Sequence, residues 1–344
     1  MCHCKSCRAL GGGAGQLVTL YPEDAVSIEG ELTTFCKPGS KMGPDGTNFS
    51  HRKVCSVCKG NVCNAHPGLQ LVDVCGGLFG YDPVEKAEFR RVRGGVNEHE
   101  PFDFDIHINY AETIVPVHDG KPKFKDTPSD LGGSGEMIDE ATYAVRPDPP
   151  TEMTDETEVH GACYCGAVTV VAKGTPMAKA ICHCSYCRAW SGGIGQLVNL
   201  YQKDDCVITG ELDTYAKPGS RLCSGGTNFS HRKSCKVCGG CVLNEHPGIG
   251  KYDICGGILD YGGKPFEYTE HVHYESTIFP MVDGLVKWAD FPTRFGGTGN
   301  ILDDAGNPKE TPMDPTQAIA DYIEKEKKTQ LLRDEAQKAD PNFT

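Results

Sequence analysis

Residues 182–188 read CHCSYCR, in which Cys182, Cys184 and Cys187 combine a CxC with a CxxC spacing. Three thiolates at that spacing can converge on one metal ion. Zinc held by three protein ligands keeps its fourth position open, which is the arrangement of catalytic sites. Water, a substrate thiol or an aldehyde oxygen could fill the open place. Three thiolates outweigh the charge of zinc, so such an ion is a weak Lewis acid. It suits delivering or exchanging a bound thiolate better than making hydroxide. A closed reading competes, in which a structural zinc is completed by Cys255, Cys223 or His246.

A second set joins CYC at 163–165 with CKVCGG at 235–240. Residues i and i+2 of a strand share a face, so Cys163 and Cys165 project together. A CxxC turn brings Cys235 and Cys238 toward one point, and the following glycine permits a tight backbone. The four make a closed tetrahedral zinc site, worth about 10–16 kcal/mol of folding free energy. The bland alternative is four unrelated buried cysteines. On a strand His183 points away from Cys182 and Cys184, so it reads as a supporting or surface group and not a ligand. Arg188 could bind a carboxylate, neutralise the thiolates or make a surface salt bridge. The HRK clusters at 51–53 and 231–233 read as solvated loops or as carboxylate binders. HPG at 246–248 reads as a turn, and Cys75 and Cys255 as core cysteines. Cys36, Cys63, Cys206, Cys223 and Cys241 read as incidental.

The elements that must position these residues occur twice. CHCKSCR at 2–8 returns 180 residues later, and more than half of the aligned pairs to Tyr81 and Tyr261 are identical. PFDFDIHINYAETIVPVHDG at 101–120 then pairs with 265–284, which leaves an insertion near 82–100 in the first copy. This is a tandem duplication of one domain type: residues 1–136, an acidic, proline-containing linker at 137–158, residues 159–304, and a tail at 305–344. Intramolecular pairing of the two copies is possible. The segments 16–21, 25–30, 167–171, 196–201 and 206–210 are short, β-branched and turn-bounded, and predict strands. Mostly antiparallel β structure is expected in both copies. The tail is the exception: Asp314-Pro315 opens a predicted α-helix, read as resting on a domain or binding a partner.

The first copy begins at Met1, immediately before Cys2, and so lacks the CxC strand. This reads as a natural truncation or a mis-set start. Its triad Cys2, Cys4 and Cys7 is intact. Cys55 and Cys58 form an incomplete second metal site, which binds zinc poorly or borrows Cys36 or Cys63.

The net charge of −13 disfavours binding to a phosphate backbone. No stretch of 18 apolar residues spans a membrane, and the N-terminus has no secretory h-region. Nineteen cysteines clustered as CxC and CxxC suit reduced thiolates on metal, hence cytoplasm, with the nucleus also open.

GACYCGAV, CHCSYCRAWSGG, the CxxCGG turn, HPG and HVHYESTIFPMVDGLVKW resemble the glutathione-dependent formaldehyde-activating enzymes, a family that includes centromere protein V. The resemblance covers about 159–300 and about 1–136. It implies a mainly β fold of small antiparallel sheets, the β-tent, in two zinc-binding copies. It implies a structural zinc on Cys163, Cys165, Cys235 and Cys238, and a labile zinc on Cys182, Cys184 and Cys187, with Arg188 beside the substrate. The implied activity is a carbon–sulfur lyase reaction on a glutathione–aldehyde adduct of the S-hydroxymethylglutathione type, with the second copy the more competent. Two other readings stay open: a zinc-stabilised binding or scaffold module, and a related lyase or isomerase acting on another small molecule.

Overall fold

The structure is a computed structural model that describes residues 1–43, 45–79, 102, 104–139, 158–220, 222 and 226–309. Most of the expected linker, the insertion near 82–100, Cys223 and the predicted tail helix lie outside the described residues. Met1–Pro308 forms one compact unit.

The first copy contributes β1 (Val18–Pro22), β2 (Leu32–Phe35), β3 (His51–Cys55), β4 (Asn61–His66) and β5 (Leu71–Cys75). They make one antiparallel sheet in the order β1-β5-β4-β3-β2. The second copy opens with β6 (Glu158–Ala162), β7 (Thr169–Lys173) and β8 (Ala178–Cys182). It continues with β9 (Gln196–Gln202), β10 (Cys206–Thr209), β11 (Leu212–Tyr215), β12 (His231–Cys235), β13 (Cys241–His246) and β14 (Lys251–Cys255). It ends with β15 (Glu270–Val272), β16 (Val286–Trp288) and β17 (Ile301–Leu302). A three-stranded sheet runs β10-β7-β6, and a nine-stranded sheet runs β11-β12-β13-β14-β9-β8-β15-β16-β17. The architecture is mainly β and antiparallel, as expected; β15 alone pairs in parallel, with β8 and with β16.

The strand predicted at 25–30 does not form. Its counterpart β10 pairs with β7, and among the described residues no strand pairs with 25–30. Of β8 the first copy keeps the end: Cys2 bridges Gln16 and Ile108, as Cys182 pairs with Gln196 and Val272.

Two short helices were not expected. α1 (Lys5–Gly11) and α2 (Ser185–Ser191) follow the CHC segments directly. Cys4 and Cys184 are their N-caps, each Sγ accepting the N–H of the residue three on, at 3.3 Å. Each helix stops at a glycine in the left-handed region, Gly12 at φ 69° and Gly192 at φ 74°. Seven residues are too few to show helical periodicity, and a cysteine cap is not one of the usual N-cap types.

The copies are joined through these helix ends. A Cβ on Gly12 would lie 2.7 Å from the Cβ of Cys255 in the second copy, and one on Gly192 would lie 3.0 Å from Sγ of Cys75 in the first. The core cysteines of DVCGG and DICGG thus pack against the helix stop of the opposite copy. Gly257 N–H donates to Gly12 O at 2.9 Å. Phe102 N–H donates to Ile278 O and Phe266 N–H to Ile114 O, at 2.7 and 2.6 Å, a matched pair under the repeat. One apolar core contains Leu17, Ile114 and Val115 from the first copy and Ile181, Leu197 and Phe279 from the second.

Candidate metal centres

Three groups of thiols lie close enough to share a metal among the described residues: Cys163/Cys165/Cys235/Cys238, Cys182/Cys184/Cys187 and Cys2/Cys4/Cys7. Within each, all Sγ atoms fall within 4.8 Å of one another. In the first group, the turn after β6 delivers Cys163 and Cys165, which follow the strand instead of lying within one as expected, and the end of β12 with its CxxC turn delivers Cys235 and Cys238. Cys165 Sγ lies 3.6 Å from Cys163 Sγ and 3.7 Å from Cys235 Sγ. A tetrahedron with Zn–S bonds of about 2.3 Å has edges of about 3.8 Å, so this cage fits zinc.

In each triad the end of a strand supplies the first thiol, the helix N-cap the second and the first helical turn the third. Cys7 Sγ lies 3.5 Å from Cys2 Sγ. Hydrogen bonds from the two neighbouring thiols hold Cys184 well below its usual pKa in the second copy, and Cys7 likewise in the first, against burial. No fourth ligand joins either triad among the described residues. Cys255 is packed with Trp190 and Cys241, and the His246 ring faces Phe229 O at 3.0 Å. Cys55 and Cys58 belong to no such group, and neither Cys36 nor Cys63 joins them.

The cation at the thiolates comes from the HRK segments, which are strands and not loops. Arg52 on β3 donates to Cys7 Sγ at 3.4 Å, and Arg232 on β12 approaches Cys187 Sγ at 4.0 Å. Arg188 is fully buried and donates to Phe79 O of the other copy. The residue expected beside the substrate thus has its guanidinium at the junction between the copies.

Behind each triad runs a buried polar chain, of which the sequence offered only His183 as a supporting group; His183 is fully buried and not at the surface. The Thr277 hydroxyl meets His183 Nδ1 at 3.2 Å, His183 Nε2 meets His271 Nδ1 at 2.9 Å, and His271 Nε2 meets Asp283 Oδ2 at 2.8 Å. Lys287 Nζ closes the chain on Asp283 at 2.9 Å. The first copy repeats it with Thr113, His3, His107, Asp119 and Lys123. Burial pushes the pKa of His183 and His271 down, so both rings are neutral. The Asp283 carboxylate can only accept, which puts a proton on His271 Nε2. The signal was present in sequence: His, Asp and Lys recur at the offset of 164.

One further position near the triads differs between the copies. Asn109 and its counterpart His273 both hold left-handed backbone, at φ 54° and 53°, a conformation that costs energy in a non-glycine residue. Asn109 Nδ2 donates to Cys2 Sγ at 3.6 Å. His273 bears on Cys184 electrostatically and packs edge-on against Phe291 at 4.4 Å. Tyr164, between the two ligating positions of CYC, reaches the other copy: its ring meets Phe35 at 5.8 Å with Lys37 Nζ 5.1 Å above it. It lines a cavity of about 870 Å³ with Lys5, Arg8, Lys37, His160 and Lys264, drawn from both copies.

Curated proteins give no match to the chain. A solved structure of a Rhodobacter sphaeroides protein is 20% identical, over 38% of this chain and 98% of its own, with a TM-score of 0.23, and carries no weight for the fold. The family described as glutathione-dependent formaldehyde-activating enzyme matches residues 1–88 and 158–276, together more than half of the chain. With paired CHCxxC triads and a CxxC cage inside those two matched stretches, the chain belongs to the glutathione-dependent formaldehyde-activating enzyme family.

Proposed function

We propose that the protein is a zinc-dependent carbon–sulfur lyase that forms or cleaves an adduct between glutathione, or a related thiol, and an aldehyde. The observation that carries this reading is the triad Cys182/Cys184/Cys187: three thiols converge without a fourth ligand among the described residues, in a family that activates formaldehyde with glutathione. Cys163, Cys165, Cys235 and Cys238 would hold a structural zinc. The two triads would each hold a zinc with one open position. Bound there, zinc lowers the pKa of a substrate thiol and supplies an electrophilic place for it.

The protein groups then have separate tasks. Arg232 offsets the charge that three thiolates concentrate at Cys187. Thiol addition to a carbonyl leaves an alkoxide that needs a proton, and we assign that proton to His273. The neutral His183–His271 pair keeps the strand end and helix start rigid, so the thiols hold their spacing.

The test is Cys184→Ser. Turnover of S-hydroxymethylglutathione at the second triad is expected to vanish, while circular dichroism and the metal of the four-cysteine cage are retained. Wild-type turnover by that variant, with Cys4→Ser in the same chain to silence the first triad, would overturn the reading.

A further inference from the structure

Cys55 and Cys58 close a CxxC turn built like that of Cys235 and Cys238. Cys55 N–H donates to Gly60 O at 2.9 Å and Lys59 N–H to Cys55 O at 3.0 Å. Lys59 holds φ 57° where its counterpart is Gly239. Yet the two thiols have no third ligand among the described residues. They interact with each other and line a surface pocket of about 100 Å³ with Tyr186, Trp190, Lys217 and Arg232 of the second copy. Lys217 Nζ stands 3.9 Å over the Tyr186 ring, and the Arg232 guanidinium 5.2 Å over Trp190. A pair of adjacent thiols thus faces a pocket with two cations and two aromatic walls.

We propose that Cys55 and Cys58 are a redox dithiol that exchanges with a low-molecular-weight anionic disulfide, of the class of glutathione disulfide, whose sulfurs reach the thiols lining this small surface pocket. The Cys55 thiolate attacks one sulfur of the disulfide RS–SR. A mixed disulfide forms, and one RS⁻ leaves and takes up a proton. Cys58, as thiolate, then attacks Cys55 Sγ, forming the Cys55–Cys58 bond and releasing the second RSH. The protein pair loses two electrons and two protons, and RS–SR gains both as two RSH. The order of attack follows from the surroundings. Burial pushes the Cys55 thiol up, but the N–H groups of Cys58 and Val57, the Cys58 thiol and Lys59 outweigh it and leave Cys55 below its usual pKa. Burial and the neighbouring Cys55 raise Cys58, which suits the resolving role. The pocket cations suit the carboxylates of the small disulfide. None of this rests on the lyase reading.

The experiment uses the full-length, zinc-loaded protein. It is incubated at rising ratios of glutathione disulfide to glutathione, quenched in acid, alkylated and mapped by peptide mass spectrometry. The Cys55–Cys58 disulfide is expected first, before adducts at the half-buried reference thiols Cys36 and Cys206. Cys58→Ser is expected to trap a glutathione adduct on Cys55, and Cys55→Ser to lose that adduct. Native mass spectrometry is expected to show zinc unchanged in both variants. A pair still reduced when Cys36 or Cys206 already carries glutathione would overturn the proposal. So would one zinc fewer in either variant, which would make the pair a metal site. Loss of turnover in Cys184→Ser is read separately and moves neither result.

Discussion

Asp253 shows how one residue can differ in its two copies. Its counterpart Asp73 faces His66 Nε2 at 3.0 Å, whereas Asp253 is buried and accepts the Asn199 N–H at 3.1 Å. Burial pushes the Asp253 carboxyl up to about 8, with the Asn199 N–H acting the other way. A carboxyl raised in the folded state favours its protonated form. Its penalty is absent below the unfolded value near 4, grows as pH rises, and is complete above 8. Asp253→Asn is therefore expected to raise Tm at pH 8 to 9 and leave it unchanged near pH 4, as calorimetry across that range would show. At the same scale, His273→Asn gives the second triad the residue of the first. A fall in kcat of about 10²-fold is expected with zinc content unchanged, measured in the Cys4→Ser background. The cysteine triads were legible in sequence because their spacing is local. Arg232 was legible only as part of a possible carboxylate binder, and His271 and Tyr164 not at all, because each reaches its site across a sheet or across the copies, and nothing in local spacing encodes that approach.

Among the elements, α1 and α2 are the joints of the molecule, although seven residues are too few to show helical periodicity. Each is capped by a cysteine of a triad and ends on a glycine that the other copy's core cysteine covers. Gly192→Ala asks a left-handed backbone to carry a Cβ, a cost of about 1–2 kcal/mol, and presses on Cys75 Sγ as well. It is expected to lower stability by at least that amount in urea unfolding. The strand expected at 25–30 teaches the converse. Its sequence alternates as β10 does, but β10 has β7 to pair with, and no described strand pairs with 25–30. Local propensity was a fair guide to β1, β9 and β10 and a poor one where pairing decides.

For Met1–Pro308 as a whole, the shared core predicts one cooperative unfolding transition and not two. Leu17 and Ile114 pack with Leu197 and Phe279, so one copy cannot unfold without exposing the apolar face of the other. Calorimetry checks this: a ratio of van't Hoff to calorimetric enthalpy near one is expected, and a ratio near one half would mean independent copies. Three thiol clusters predict three zinc ions per chain by elemental analysis. Removing the ion of the four-cysteine cage with a chelator is expected to melt the unit, because that binding free energy is folding free energy. The repeat, the cages and the β class could be read from sequence. The joint core could not, because no pattern within one copy marks which of its faces meets the other.

The matched hydrogen bonds at Phe102 and Phe266 give the pair of copies an approximate two-fold relation. In a symmetric homodimer every substitution appears on both sides of the axis, so the partners cannot specialise. Here one chain encodes both partners. Asn109 can stand opposite His273, and an unclustered CxxC opposite a caged one, with each change inherited alone. Association of the partners is also unimolecular, so a specialised pair stays together at any dilution. Two copies in one chain make the two sites of a two-fold interface separately tunable.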